Sequence, residues 1–155
     1  MPERLEVMPG TWDQLSESGR LFTTAVRTCI AVSIYDSRQK LGFLGHFNPS
    51  AFKDGSLKDM ESIAEESILE AESTQLWAGG GEMLQEGAKI EGYSKADIGI
   101  MNYETEDFIK ITEEMLARWA RKGSLFSTKW LFRPGYIEYE LDVATGTGFA
   151  TVFND

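Results

Sequence analysis

The chain has 155 residues, a formal net charge of −10, 42% hydrophobic residues and 26% charged residues. This composition is typical of a globular protein and excludes a disordered or collagen-like chain. A protein that neutralises phosphates needs a surplus of Lys and Arg, so the charge argues against a nucleic-acid partner. The length suits a single domain that covers residues 1–155.

The cysteine count and the distribution of apolar residues bear on location. One cysteine cannot form an intramolecular disulfide, and a free thiol is typical of a reducing compartment. Residues 1–10 carry charged side chains and have no apolar core, so they do not resemble a secretory signal. No stretch reaches the length of a membrane span. We expect a cytoplasmic protein without membrane insertion, although an effector secreted without such a signal would look the same.

Strand signals dominate the first third of the chain. Residues 4–8 alternate polar and apolar side chains and predict a short edge strand, whereas residues 11–19 resemble a turn region. Residues 29–35 and 41–47 are rich in β-branched, aromatic and other apolar side chains, and each segment predicts a buried strand. A turn at residues 36–40 would join these two strands as a hairpin.

The rest of the chain alternates helix and strand signals. Apolar residues at helical spacing predict a helix over residues 56–72, capped by Ser56, and another over residues 103–122, ended by Gly123. The further predicted strands are residues 74–78, 125–132, 136–143 and 148–152. This order favours an α+β fold, a layered α/β/β sandwich with two main helices packed on a mixed, largely antiparallel sheet.

The only cysteine and the only histidine, Cys29 and His46, stand out as chemical candidates. If the hairpin turns at residues 36–40, the two lie close to opposite one another, and opposed residues have Cβ atoms about 4.5–5.5 Å apart. An adjacent imidazole can take the thiol proton and create a nucleophile. Thr23 and Thr24 are candidates to orient the imidazole. The alternative is structural, because cysteine is also among the most often buried residues.

At these residues the chain resembles the chemoreceptor glutamine deamidases of the CheD family. That family has a Thr six residues before its catalytic Cys and a His seventeen residues after it, as Thr23, Cys29 and His46 are spaced here. The segments at residues 28–32 and 76–84 are similar to the family's sequences at the corresponding places. The resemblance spans most of the chain, but only the Thr, Cys and His pattern is specific.

Two departures from the family pattern are visible. Arg27 stands where the family usually has Gly, so a backbone with positive φ would be strained there; its charge would alternatively stabilise a thiolate. The family's Asp-Val-Gly-Gly segment is replaced by Phe-Arg-Pro-Gly at residues 132–135. Arg27 and Asn48 flank the candidate site and are candidates for tuning specificity.

The resemblance implies that the chain hydrolyses the side-chain amide of glutamine in a protein substrate, chemoreceptor-like or other. Cys29 would be the nucleophile and His46 the base, and Thr23 would hold His46 in place. A backbone N–H, such as that of Cys29, would donate a hydrogen bond to the oxyanion. Glutamate methylesterase activity would follow the same chemistry. No cofactor or metal is implied, and a regulatory protein is a further expected partner. The alternatives are a signalling adaptor without activity on the same fold, a deamidating effector that acts on a host protein, and another thiol reaction such as peptide cleavage.

Other patterns favour structural roles. The three glycines at residues 79–81 lack the Lys and Ser/Thr of a phosphate-binding loop, and we expect a tight turn or a close backbone approach. The carboxylates at Asp97, Glu104, Glu106 and Asp107 fit no calcium-binding loop. We expect the tryptophans of the predicted elements to lie in the core: Trp77, Trp119 and Trp130.

Overall fold

A computed structural model describes residues 3–49, 55–84, 89–132 and 134–154. Within these ranges the helices are α1 (Ser56–Ser67) and α2 (Lys95–Arg121), with a short 3-10 turn at Ala71–Ser73. The strands are β1 (Arg4–Glu6), β2 (Thr11–Ser16), β3 (Arg20–Val26), β4 (Ile30–Asp36), β5 (Leu41–Phe47), β6 (Thr74–Gly80), β7 (Leu125–Trp130), β8 (Gly135–Asp142) and β9 (Thr147–Asn154).

The described strands form two sheets, and the helices form a third layer. The four-stranded sheet has the order β1-β3-β8-β9, and the five-stranded sheet has the order β2-β5-β4-β6-β7. Most pairs are antiparallel, whereas β1–β3 and β6–β7 are parallel. The helices pack on one face of the five-stranded sheet and the four-stranded sheet on the other. The α/β/β sandwich predicted from the sequence is confirmed, with two sheets in place of the one expected.

Strand β4 shows why the five-stranded sheet lies in the middle. Every residue from Ile30 to Asp36 is buried. Successive side chains of a strand point to opposite faces. Ile30 and Val32 accordingly join the cluster with the helices, whereas Ala31 and Tyr35 join the cluster with the four-stranded sheet. A continuous apolar segment is therefore the sequence that a strand covered on both faces requires.

The helices differ from the prediction at their ends. Helix α1 ends at Ser67, five residues before the predicted end, and its N-cap is Gly55, which makes no side-chain cap hydrogen bond. The prediction of Ser56 as cap was therefore wrong. Helix α2 begins eight residues earlier than predicted, because Ser94 and Asp97 form a reciprocal capping box there. Gly123 follows the C-cap residue with φ +95, as expected for the end of a helix.

Two strands were missed by the sequence analysis, β2 and β3. Residues 11–19 were predicted as a turn region, yet Thr11–Ser16 pairs with β5 along its full length. Its half-buried residues are three apart, Trp12 and Leu15, so the alternation typical of a strand is absent. In β3 the register shifts between Thr23 and Val26, and Ala25 has φ +53. Such a bulge interrupts the period of two on which strand prediction depends.

No helix in the described ranges is long and apolar enough to cross a membrane.

Candidate active site

His46 lies near the end of β5, inside the sandwich. Its Cα partners are Ala31 on β4 and Thr11 on β2. By the alternation along β5, His46 shares a face with Leu44, which packs against the four-stranded sheet. Only 1% of His46 is exposed. The imidazole is therefore held between the two sheets and shielded from water.

Cys29 does not lie opposite His46, so that part of the sequence prediction was wrong by two residues. The residue opposite His46 is Ala31, and Cys29 precedes the first residue of β4. Diagonal neighbours two residues apart on one face are about 7–8 Å apart, and their Cβ atoms are somewhat closer. Cys29 is half-buried and belongs to the connection between β3 and β4. Its approach to His46 therefore depends on the conformation of this connection and not on strand pairing alone.

Thr23, predicted to hold the base, contacts His46 from the four-stranded sheet. Thr23 Oγ1 is 2.8 Å from His46 Nδ1 and donates its proton to the carbonyl oxygen of Val7 at 2.7 Å. A hydroxyl has one proton to donate. Because that proton goes to Val7, the hydroxyl accepts from His46, and we assign the tautomer with the proton on Nδ1. Thr24, the other candidate, lines a depression on the outer surface of the sheet with Phe22.

The assigned tautomer leaves His46 Nε2 as an acceptor. This atom is buried and has no hydrogen-bond partner among the residues that the structure describes. Burial lowers the pKa of His46 from 6.5 to about 4 because the interior disfavours the imidazolium ion. The imidazole is therefore neutral at pH 7, with a lone pair available to take a proton.

The thiol of Cys29 is also neutral at rest. Burial raises its pKa, and a hydrogen bond from its own backbone N–H offsets part of this effect. A thiol and an imidazole that are both neutral at pH 7 are not an ion pair before a substrate arrives. Proton transfer from Cys29 to His46 would accompany attack, as in general base catalysis.

The connection that carries Cys29 is tied to the end of β6. Gly81 N donates to the carbonyl oxygen of Cys29 at 3.0 Å, and Glu82 N donates to that of Arg27 at 2.8 Å. Gly80 has φ +101, and a Cβ there would lie 2.2 Å from the carbonyl oxygen of Cys29. The glycines at 79–81 thus allow a close backbone approach to the candidate nucleophile, as the sequence analysis expected.

Arg27 carries no backbone strain of the kind considered from the sequence. Among the described non-glycine residues, positive φ occurs at Glu17, Ala25 and Lys40. Arg27 Nη1 is 3.7 Å from Glu82 Oε2, and the guanidinium carbon is 5.4 Å from the ring centre of Tyr136. The backbone at Arg27 therefore does not require Gly.

Sequence reasoning missed Glu82, although a signal was present. It is the one charged residue in the apolar and glycine-rich segment at residues 76–84. In the structure it is 5% exposed, and its carboxylate accepts from Gly135 N at 3.4 Å.

Gly135 begins β8, whereas Arg133 of the segment at residues 132–135 lies outside the described residues. Asn48 is exposed and directly follows β5.

The remaining candidates have structural roles. Asp97 caps α2, and Glu106 pairs with Lys110 one helical turn on, at 3.7 Å. Across the described ranges, no group of three metal-ligating side chains lies close enough together to hold an ion. The tryptophans pack in the interior with partners for their rings or N–H groups: Trp77 stacks on Tyr139, Trp119 donates to Glu61, and the half-buried Trp130 donates to Glu113.

No protein-family model matches the chain, and no curated protein sequence matches it significantly.

Proposed function

We propose that this chain is a cysteine-dependent amidohydrolase that converts glutamine side chains of a protein substrate to glutamate. The observation that supports this proposal best is the Thr23–His46 contact. It assigns the tautomer and leaves Nε2 as a buried acceptor with no partner among the described residues, on a residue that pairs with Ala31, two residues after Cys29. Buried polar atoms are usually hydrogen-bonded, so an exception needs a reason. A role of Nε2 as the atom that accepts the thiol proton is such a reason.

Cys29 and His46 account for every bond and proton that changes in the acylation step. The Cys29 sulfur attacks the carboxamide carbon while its proton passes to His46 Nε2, and the carbonyl oxygen becomes an oxyanion. The backbone N–H of Cys29, which lies against the sulfur, is suited to donate to that oxyanion. The imidazolium then protonates the departing nitrogen, the C–N bond breaks, and ammonia and a thioester remain.

Hydrolysis reverses the proton movements. Neutral His46 takes a proton from water, the hydroxide attacks the thioester, and the sulfur leaves with the proton that His46 returns. The products are glutamate and the free thiol. Thr23 keeps the proton on Nδ1 throughout, so that Nε2 stays the atom that exchanges protons. The imidazolium formed in each step is stabilised by the negative charge that develops next to it.

The substrate class comes from the resemblance to the CheD family. The same thioester chemistry would hydrolyse a glutamate methyl ester, and chemoreceptor-like helices would supply both groups. A cytoplasmic location is part of the proposal, since a lone thiol stays reduced there. A deamidating effector would use the same site on a host protein.

The proposal is tested with purified chain and chemoreceptor cytoplasmic fragments that carry glutamines. Ammonia release together with a mass increase of about 1 Da at glutamine-containing peptides is expected, because an amide NH₂ is exchanged for OH. The Cys29→Ala variant is the control and should release none. Binding of the fragments by both proteins without ammonia would favour an adaptor, and cleavage of the fragments would favour a peptidase.

A further inference from the structure

A buried carboxylate joins the candidate nucleophile connection to the rest of the sandwich. Glu82 follows the glycines at the end of β6, and its side chain is 7% exposed. Its backbone N–H bonds to the carbonyl oxygen of Arg27 at 2.8 Å, and its Oε2 lies 3.7 Å from Arg27 Nη1. The same oxygen accepts from Gly135 N at 3.4 Å. One residue thus contacts the connection before β4 and the first residue of β8.

These contacts cross between the two sheets. Strand β6 belongs to the five-stranded sheet, and β8 belongs to the four-stranded sheet. Cys29 lies on the connection that passes from β3 to β4, from one sheet to the other. The Thr23–His46 bond crosses the same gap for the base. Side chains thus join the two sheets at two places, one through Thr23 and one through Glu82.

Stability alone does not account for a carboxylate at this position. The carboxylate of Glu82 is removed from water, whereas the Arg27 side chain remains 43% exposed, and an ion pair with one partner in water adds little stability. Its geometry is more specific than apolar packing, since the carboxylate must meet donors in fixed directions. Here the donor is the N–H of Gly135, and the guanidinium of Arg27, two residues before Cys29, lies at ion-pair distance.

We propose that Glu82 is a positioning residue that holds the Arg27–Cys29 connection so that the thiol of Cys29 can reach Nε2 of His46. This inference rests on the proposed function, because it assumes that the thiol and the imidazole act together. Substitution of the side chain leaves the backbone bond from Glu82 N to Arg27 in place. It therefore removes the contacts of the carboxylate with the guanidinium and with Gly135 N.

The test is the rate of Cys29 alkylation by iodoacetamide between about pH 5 and 9, which needs no substrate. The variants are Glu82→Ala, Glu82→Gln, His46→Ala and the double variant Glu82→Ala/His46→Ala. Glu61→Ala is the matched control, because Glu61 is also a shielded carboxylate paired with an arginine, Arg118, but on the helix layer. Thermal unfolding of each variant shows whether it is folded.

We expect Glu82→Ala to slow alkylation at pH 7 about tenfold, as small displacements of a reacting group do. Glu82→Gln keeps an acceptor for Gly135 N and should slow the reaction about threefold. If Glu82→Ala does not fold, the rate of Glu82→Gln decides the test. Glu61→Ala should alkylate at the wild-type rate. The double variant should react no more slowly than His46→Ala, because positioning has value only while the imidazole is present.

Two results would overturn the inference. One is a wild-type alkylation rate in folded Glu82→Gln and Glu82→Ala while His46→Ala is slow, which leaves the proposed function intact. The other is an equal slowing by Glu82→Ala with and without His46, which makes Glu82 independent of the base. An unchanged alkylation rate in His46→Ala would instead show that the imidazole does not act on the thiol, and would contradict the proposed function.

Discussion

The two halves of the candidate site are built differently. The base half is buried between the sheets: His46 is 1% exposed, and Thr23, also 1% exposed, joins it to a backbone carbonyl. The nucleophile half is a half-buried connection tied by backbone bonds to Gly81 and Glu82 and by an ion pair to Glu82. One half uses neutral groups on paired strands, and the other uses a carboxylate and a guanidinium on connecting segments.

This difference separates the tasks of the two groups. A base can be buried, because it needs only to reach the proton of the nucleophile, and its burial keeps it neutral. A nucleophile that attacks a protein side chain must be reached from outside. The connection between β3 and β4 leaves Cys29 partly exposed, and the contacts to β6 restrict its movement.

The largest expected effect comes from the nucleophile itself. Cys29→Ser should lower ammonia release from a glutamine-bearing protein substrate at least about a thousandfold, since a hydroxyl is a far weaker nucleophile than a thiol at neutral pH. The substitution is nearly isosteric, so the thermal unfolding midpoint should stay close to that of the wild type. Substantial activity in Cys29→Ser would show that another group carries the reaction.

A methyl group at Gly80 should clash with the connection that carries Cys29 and destabilise the fold. In Gly80→Ala the new Cβ would lie 2.2 Å from the carbonyl oxygen of Cys29, at φ +101. We expect a loss in the free energy of unfolding of about 3 kcal/mol or more, measured by urea denaturation. Gly92→Ala is the matched control, because Gly92 has φ +84 but no atom near its Cβ position. It should lose only about 1 kcal/mol, and equal losses would contradict the steric explanation.

The buried imidazole predicts a pH dependence of stability. The pKa of His46 is about 4 in the folded chain and 6.5 when unfolded, so the unfolded state binds more protons between these values. The lowered pKa of His46 adds about 3 kcal/mol to the free energy of unfolding above about pH 6.5. This stabilisation is lost as the pH decreases to 4. Urea denaturation at pH 7 and pH 4 measures it. The loss in wild type should exceed the loss in His46→Gln by this amount, and equal losses would indicate an imidazole that is protonated as easily as in water.

Of the stability losses predicted for Gly80, His46 and Thr23, the smallest is at Thr23. Thr23→Val removes the group that accepts from His46 Nδ1 and donates to Val7, and should cost about 1–3 kcal/mol. It should also slow Cys29 alkylation at pH 7, because the imidazole is no longer held in one tautomer. Thr23→Ser keeps the hydroxyl and should recover most of the rate. Thr24→Val, on the outer surface, is the control; an effect as large as that of Thr23→Val would locate the orienting hydroxyl elsewhere.

Local signals predicted those elements whose environment is uniform. Strand β5 was predicted with its observed bounds, and β4 within one residue, because both are covered along their length and read as apolar segments. Strands β2 and β3 were missed, since one is mostly exposed and the other contains a bulge. Without these two strands, the sequence does not predict how the strands divide between the two sheets.

For the candidate site, the residues were predictable and their geometry was not. Cys29 and His46 are the only cysteine and histidine, and the resemblance to the CheD family favoured Thr23 over Thr24; the structure brings Thr23 and His46 into contact at 2.8 Å. The predicted opposition of Cys29 and His46 was wrong, because the hairpin pairs Ala31 with His46. Register depends on turn geometry, which composition does not specify. Glu82 was missed because its contacts join residues far apart in the chain.

The sequence by itself determined the α+β class and the buried hairpin of β4 and β5, which follow from residue identity and short-range periodicity. The set of three candidate site residues came from the resemblance to the CheD family. Only the tertiary structure decided the tautomer assigned to His46, the direction of the pKa shifts of His46 and Cys29, and the carboxylate that ties the connection before β4 to β8. Each of these depends on burial and on partners from the opposite sheet, and burial and long-range contact exist only after the layers have packed.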